Sequence, residues 1–92
     1  MKIRVGLGFD VHELGTGVPL HLGGILIPSE KGAIGHSDAD VLIHAICDAL
    51  LGAAGMRDIG FHFSNKDQRW RNADSKIFLQ QVMTMIGEKG WK

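Results

Sequence analysis

Between Ala39 and Ala54, Val41, Leu42, Ile43, Ala45, Ile46, Cys47, Ala49, Leu50 and Leu51 cover most of the circumference of a helix. A helix that is apolar nearly all round belongs in an interior, so the rest of the chain has to wrap it. One polar stripe breaks the surface: Asp40, His44 and Asp48 are four apart and share a face. Ionisable groups among aliphatic side chains need partners, so the stripe is expected to face a polar cavity and not bulk water. Ser37 stands as the N-cap, with Asp40 at the capping-box position, and Gly55 marks the stop.

The start of the chain has a different period. Ile3, Val5, Leu7, Phe9 and Val11 alternate with Lys2, Arg4, Gly6, Gly8, Asp10 and His12, which predicts a strand with its apolar face on a core. The opposite face carries two glycines, then Asp10 and His12. Glycines there leave room for close approach by another backbone or a ligand. Leu20–Leu22 and Ile25–Ile27 flank Gly23-Gly24, a hairpin signal bracketed by Pro19 and Pro28. Met56 to Asn72 lacks a sustained period and reads as a long loop. Asp74 caps a second predicted helix through about Glu88, with Leu79, Val82, Met83 and Ile86 as its buried stripe. These elements predict an α/β (α+β) domain over residues 1–92, with a single mixed β-sheet packed against helices and one β-hairpin.

Composition excludes several classes. Ten Lys and Arg balance ten Asp and Glu, which argues against a general nucleic-acid binder. No run approaches the ~18 apolar residues of a membrane span. The N-terminal residues lack a signal-peptide core, so a cytoplasmic protein is expected. The single cysteine, Cys47, lies in the apolar run and reads as a small buried hydrophobe. A domain of 92 residues buries a modest fraction of its surface, so a metal or an oligomer interface would help it.

The candidate chemistry lies where the two patterns meet. Asp10 and His12 at a strand end and His44 on the helix make an Asp/His/His set that can hold a divalent metal with one position free. The alternative is a surface pair and a hydrogen-bonded core histidine. Asp40 and Asp48, one turn either side of His44, either orient its imidazole or act as a cap and a partly solvated helix acid. His36 and Ser37 either meet phosphate at the helix start or are a loop histidine and an ordinary cap. Asp58-Ile59-Gly60 and Phe63-Ser64-Asn65-Lys66-Asp67 either grip sugar hydroxyls or are solvated turns.

Several segments together carry a resemblance. His36-Ser37-Asp38-Ala39-Asp40-Val41, His44-Ala45 and Asp48-Ala49-Leu50-Leu51-Gly52-Ala53 resemble the signature of the 2-C-methyl-D-erythritol 2,4-cyclodiphosphate synthase family, enzymes of non-mevalonate isoprenoid biosynthesis. The likeness extends to Gly8-Phe9-Asp10-Val11-His12, Leu22-Gly23-Gly24-Ile25, Ile27-Pro28, Glu30-Lys31-Gly32, Asp58-Ile59-Gly60 and Ala73-Asp74-Ser75.

The resemblance implies a phosphorus–oxygen lyase that cyclises 4-diphosphocytidyl-2-C-methyl-D-erythritol 2-phosphate and releases CMP. It implies zinc on Asp10, His12 and His44, a second divalent ion (Mg2+ or Mn2+) on the substrate diphosphate, and transition-state stabilisation by His36. It places the small-molecule cytidine diphosphate substrate against Asp10, Val11, His12, His36, Ser37, Asp58, Ile59, Gly60, Phe63, Ser64, Asn65, Lys66 and Asp67. It also implies a homotrimer with active sites between subunits, in the cytoplasm or a plastid. The segment Phe63 to Asp67 stands where many members have Phe-Pro-Asp-Thr-Asp, and its Asn and Lys change the local charge. Members run to roughly 160 residues, within the single-domain range. The chain is therefore expected to be an N-terminal portion without the cytidine pocket, and to be inactive alone. The reading from another class is a catalytically silent metal-binding or assembly module. A generic metallohydrolase would explain the metal ligands but not Asp58-Ile59-Gly60.

Overall fold

The computed structural model describes residues 2–92. Its elements in chain order are β1 (Leu14–Thr16), β2 (Leu20–Leu22), β3 (Ile25–Ile27), β4 (Lys31–Ala33), α1 (Val41–Ala53), α2 (Ile59–His62), a 3-10 turn (Gln68–Trp70) and α3 (Ser75–Glu88). The α/β class holds, and the helices form the centre. Ile43, Cys47 and Leu51, spaced by four on α1, meet Phe78, Val82 and Ile86 of α3 in one buried cluster. Leu51 and Val82 are wholly buried. At such a site Leu51→Ala would cost about 2–5 kcal/mol. Phe63 closes one end of this core, with its ring centroid 4.9 Å from Phe78 and 5.4 Å from Trp70. No helix among the described residues is long and apolar enough to cross a membrane.

The hairpin forms as expected. Leu20 pairs with Ile27 and Leu22 with Ile25, while Gly23 and Gly24 take φ of 64° and 81°. Positive φ at both central residues suits the twist of a two-residue hairpin and favours glycine. The expected single mixed sheet is instead two antiparallel ladders among the described residues, β1 with β4 and β2 with β3.

The predicted first strand also differs from its expectation. Residues 2–13 pair with no strand among the described residues. They lie along α1 through the glycine face. A Cβ on Gly6 would meet Ala49 and Ala53, and one on Gly8 would meet Ala45 and Ala49. Two residues of this segment therefore match one helical turn, close to the rise of an extended chain (about 6.6 Å) beside a pitch of 5.4 Å. The segment runs antiparallel to α1. Its apolar side, expected to meet a core, points away: Val5 and Leu7 are 90% and 91% exposed.

Other expectations change at the level of caps. The cap of α1 is Asp40, whose carboxylate accepts from Ile43 N, and not Ser37. Asp74 caps α3 as expected, through Lys76 N. Met83 of the predicted stripe is exposed, and Phe78 takes its place in the core. The long loop holds α2 and the 3-10 turn, capped by Asp58 and Asp67.

Candidate metal centre

Antiparallel docking of residues 2–12 on α1 builds the site. Even-numbered residues face the helix, so the register that sets Gly6 and Gly8 on Ala49 and Ala45 carries Asp10 on to His44. Asp10 Oδ2 lies 2.9 Å from His12 Nδ1 and 3.4 Å from His44 Nδ1. The three side chains are 23%, 17% and 12% exposed. One donor atom from each falls within 4.8 Å of the others. Gly35 makes room for the His12 ring, since a Cβ there would stand 3.1 Å from its Cδ2.

Asp10 Oδ2 and His12 Nδ1 are close but not aligned for a hydrogen bond, and both are buried without a partner. Buried polar atoms ordinarily find partners. A carboxylate oxygen and two imidazole nitrogens aimed at one point fit a divalent cation. Burial lowers the His44 pKa, against the opposing pull of Asp10. A neutral imidazole is the form that offers a lone pair to a metal.

The opposite nitrogen of His44 is held by groups the sequence reading missed. Ser75 Oγ lies 2.8 Å from Nε2, and Ser37 Oγ lies at 3.4 Å. Ser75, wholly buried at the first turn of α3, donates its hydroxyl to Asp38 Oδ1 at 2.5 Å. Its backbone N–H donates to Asp38 Oδ2. The signal available was the need of His44 for a polar partner; the partner came from α3, 31 residues away.

Of the two readings for Asp40 and Asp48, orienting the imidazole or serving as a cap and a helix acid, the structure has Asp40 as the cap and neither carboxylate on His44. Asp40 is wholly buried and accepts from Gly23 N at 3.0 Å and Gly24 N at 2.7 Å as well as from Ile43 N. It ties the hairpin turn to the start of α1. Asp48 accepts from Ile59 N at 2.8 Å and anchors α2.

A cleft of about 440 Å³ opens beside the three donor atoms. Of the residues predicted to meet substrate, His36, Ser37, Ile59, Gly60, Phe63 and Asn65 line it with Asp10 and His12. Val11, Asp58, Ser64, Lys66 and Asp67 do not. Val11 is 71% exposed on the outer side of its segment. Asp58 accepts from Phe61 N, and Ser64 Oγ accepts from Lys66 N. Asp67 pairs with Arg69 at 2.7 Å, and that hydrogen bond holds its carboxyl below the usual carboxylate range. The Asp67 carbonyl accepts from His36 Nε2 at 2.9 Å, fixing the His36 ring at the rim. Cys47 is buried in the core, away from the cleft.

Comparison with known proteins identifies the family. Residues 3–92 match the YgbB family. The 2-C-methyl-D-erythritol 2,4-cyclodiphosphate synthase of Cytophaga hutchinsonii is 65% identical over 92 residues, covering all of this chain and 58% of that protein. A solved 2C-methyl-D-erythritol-2,4-cyclodiphosphate synthase superposes with a TM-score of 0.88 at 47% identity, over 95% of this chain and 58% of the other. A form with CDP bound gives 0.87 at 48% identity, with the same coverage. The chain thus spans somewhat over half the length of these relatives. With a match along nearly its whole length and a fold shared at high identity, the chain belongs to the YgbB family.

Proposed function

We propose that the chain carries the metal-binding part of a cyclodiphosphate synthase active site, acting on 4-diphosphocytidyl-2-C-methyl-D-erythritol 2-phosphate with release of CMP. The observation that carries this reading is the convergence of the unpartnered Asp10 Oδ2 and His12 Nδ1 with His44 Nδ1 at the edge of a cleft. Asp10, His12 and His44 would hold zinc. Bound there, a divalent ion supplies charge neutralisation and orientation for a phosphoryl group, while a second ion, Mg2+ or Mn2+, would accompany the substrate diphosphate.

The chain's own residues supply positioning and no nucleophile. The 2-phosphate of the substrate attacks the β-phosphorus in line and CMP leaves, so the protein needs to orient and stabilise more than to react. His36 and Ser37 present an imidazole and a hydroxyl to the cleft beside the metal ligands. With its Nε2 proton on the Asp67 carbonyl, His36 keeps a fixed ring plane at the place where phosphoryl charge develops. Ile59, Gly60, Phe63 and Asn65 form the wall for the methylerythritol portion. The CDP-bound relative supports a cytidine nucleotide as the leaving portion. A homotrimer with sites between subunits goes with this reading, and sedimentation of the chain reads it directly.

The test has two readouts. Zinc content is expected to fall in Asp10→Ala and His44→Ala; unchanged content in both removes the metal assignment. Release of CMP from the substrate with zinc and magnesium reads the activity. Because the chain spans somewhat over half the length of its relatives, little CMP release is expected from it alone; robust release would show that the remaining part of the synthase is dispensable.

A further inference from the structure

His44 has two ring nitrogens, and only one can serve the metal. In a neutral imidazole one nitrogen carries the proton and the other the lone pair, so the partner of Nε2 decides what Nδ1 can do. Around Nε2 stand two hydroxyls, Ser75 Oγ at 2.8 Å and Ser37 Oγ at 3.4 Å. A hydroxyl can donate or accept, so proximity alone leaves the tautomer open.

Asp38 removes that freedom. Its Oδ1 takes the Ser75 hydroxyl proton at 2.5 Å, and a carboxylate can only accept. The Ser75 proton is thereby committed, and Ser75 Oγ has only lone pairs to offer His44. Asp38 is itself held in place: its Oδ2 accepts from Ser75 N at 3.0 Å, its Oδ1 accepts from Asp40 N at 3.1 Å, and its own N–H donates to the Ala73 carbonyl. Ser37 is the weaker neighbour, because its distance to Nε2 is at the limit of a hydrogen bond.

We propose that Asp38 and Ser75 are positioning residues for the metal centre: the carboxylate orients the Ser75 hydroxyl, the hydroxyl oxygen accepts the Nε2 proton of His44, and the Nδ1 lone pair is thereby left for a cation shared with Asp10 and His12. The proposal rests on Asp10, His12 and His44 holding a metal, but its central statement concerns the tautomer of the metal-free protein. The chain Asp38–Ser75–His44 joins the α1 approach, the start of α3 and the metal centre, so it also explains a wholly buried serine at a helix start.

Nitrogen-15 NMR of the metal-free chain at about pH 8, above the ordinary imidazole range, reads the tautomer directly. His44 is expected in the Nε2–H form. A His44 found in the Nδ1–H form overturns the proposal without any variant. Ser75→Ala keeps the backbone N–H that holds Asp38, so α3 retains its anchor while the hydroxyl is lost. That variant is expected to give a mixture of tautomers and a zinc affinity lower by about 10–100-fold, the usual loss when a ligand's outer partner is removed. Ser75→Thr, which restores a hydroxyl, is expected to recover the tautomer. Unchanged tautomer and affinity in Ser75→Ala would defeat the relay. Zinc binding indifferent to His44→Ala would instead defeat the metal assignment, and the tautomer readout tells the two failures apart.

Discussion

Gly8 lies against Ala45 so closely that a Cβ on Gly8 would fall 1.6 Å from the Ala45 carbonyl oxygen. Gly6 repeats the contact one turn along, 2.0 Å from the Ala49 carbonyl oxygen. The pair sets both the distance and the register between the N-terminal segment and α1. Because Asp10 and His12 follow on the same face, this backbone contact brings two residues of the candidate metal centre to the third. The glycines serve the site although they lie outside it.

Gly8→Ala should therefore act on metal binding from a distance. The methyl group cannot be accommodated by a side-chain shift, since the obstacle is helix backbone. Overpacking of this kind costs about 1–3 kcal/mol where the surroundings can adjust. Here the N-terminal segment, largely exposed and unpaired, is the part free to move. The expected result is undocking of residues 2–12, with zinc affinity much reduced and α3 hydrogen exchange little changed. Calorimetric zinc titration and amide exchange check the two halves. Full zinc affinity in the variant would show that the register does not depend on this contact.

Zinc should stabilise the fold by linkage. A ligand that binds only the folded chain adds about 2.7 kcal/mol when its concentration is a hundredfold above Kd. The three donors come from residues 10, 12 and 44, so binding clamps the N-terminal segment on α1. A rise in Tm with added zinc, reversed by a chelator and absent in His44→Ala, is the expected pattern. An equal rise in His44→Ala would place the stabilising zinc elsewhere.

Asp40 should prove structural. It accepts three backbone hydrogen bonds while wholly buried, two from the hairpin turn and one from the first turn of α1. Asp40→Ala loses an N-cap worth about 1 kcal/mol and two hydrogen bonds from the part-buried turn amides of Gly23 and Gly24 to a carboxylate, worth about 1.5–3 kcal/mol each. Denaturant unfolding should show a loss of several kcal/mol, even though the carboxylate touches no donor of the metal centre. A neutral Asp40→Ala would contradict the observed bonding.

The parts legible in the sequence were those set by local chemistry. Gly23-Gly24 announced the hairpin, Asp74 the start of α3, and the spacing of Asp10, His12 and His44 the three donors. The parts misread depended on what lay across from a residue. The polar stripe on α1 correctly demanded partners for Asp40, His44 and Asp48. Sequence spacing left open whether they served one another or stood as a cap and a helix acid; the hairpin turn, Ser75 and Ile59 N serve them. Likewise the period of two at residues 2–12 named two faces without saying which would meet the helix. The glycine face did, because only a face without side chains admits helix backbone at that distance. Phe63 and Asn65 reached the cleft while Ser64, Lys66 and Asp67 did not, since Ser64 and Asp67 are occupied by local turn and cap bonds.

Cys47 offers a pH test of the core that leaves the metal centre aside. Its thiol is buried between α1 and α3, and desolvation, aided by the Asp48 charge, pushes its pKa up to about 11 from 9.0. The folded chain thus holds the thiol proton more tightly than the unfolded chain does. By linkage, the stability this contributes is fully present below pH 9.0 and is lost as pH rises towards about 11. The nucleophile in alkylation or disulfide exchange is the thiolate, so the native thiol should be inert at about pH 8 and react quickly once denatured. Thiol titration with and without denaturant measures this. Across the alkaline range, Cys47→Ser should lose less stability than the parent chain, because a hydroxyl does not ionise there. Rapid native labelling of Cys47 would mean that α1 and α3 separate far more often than their packing allows.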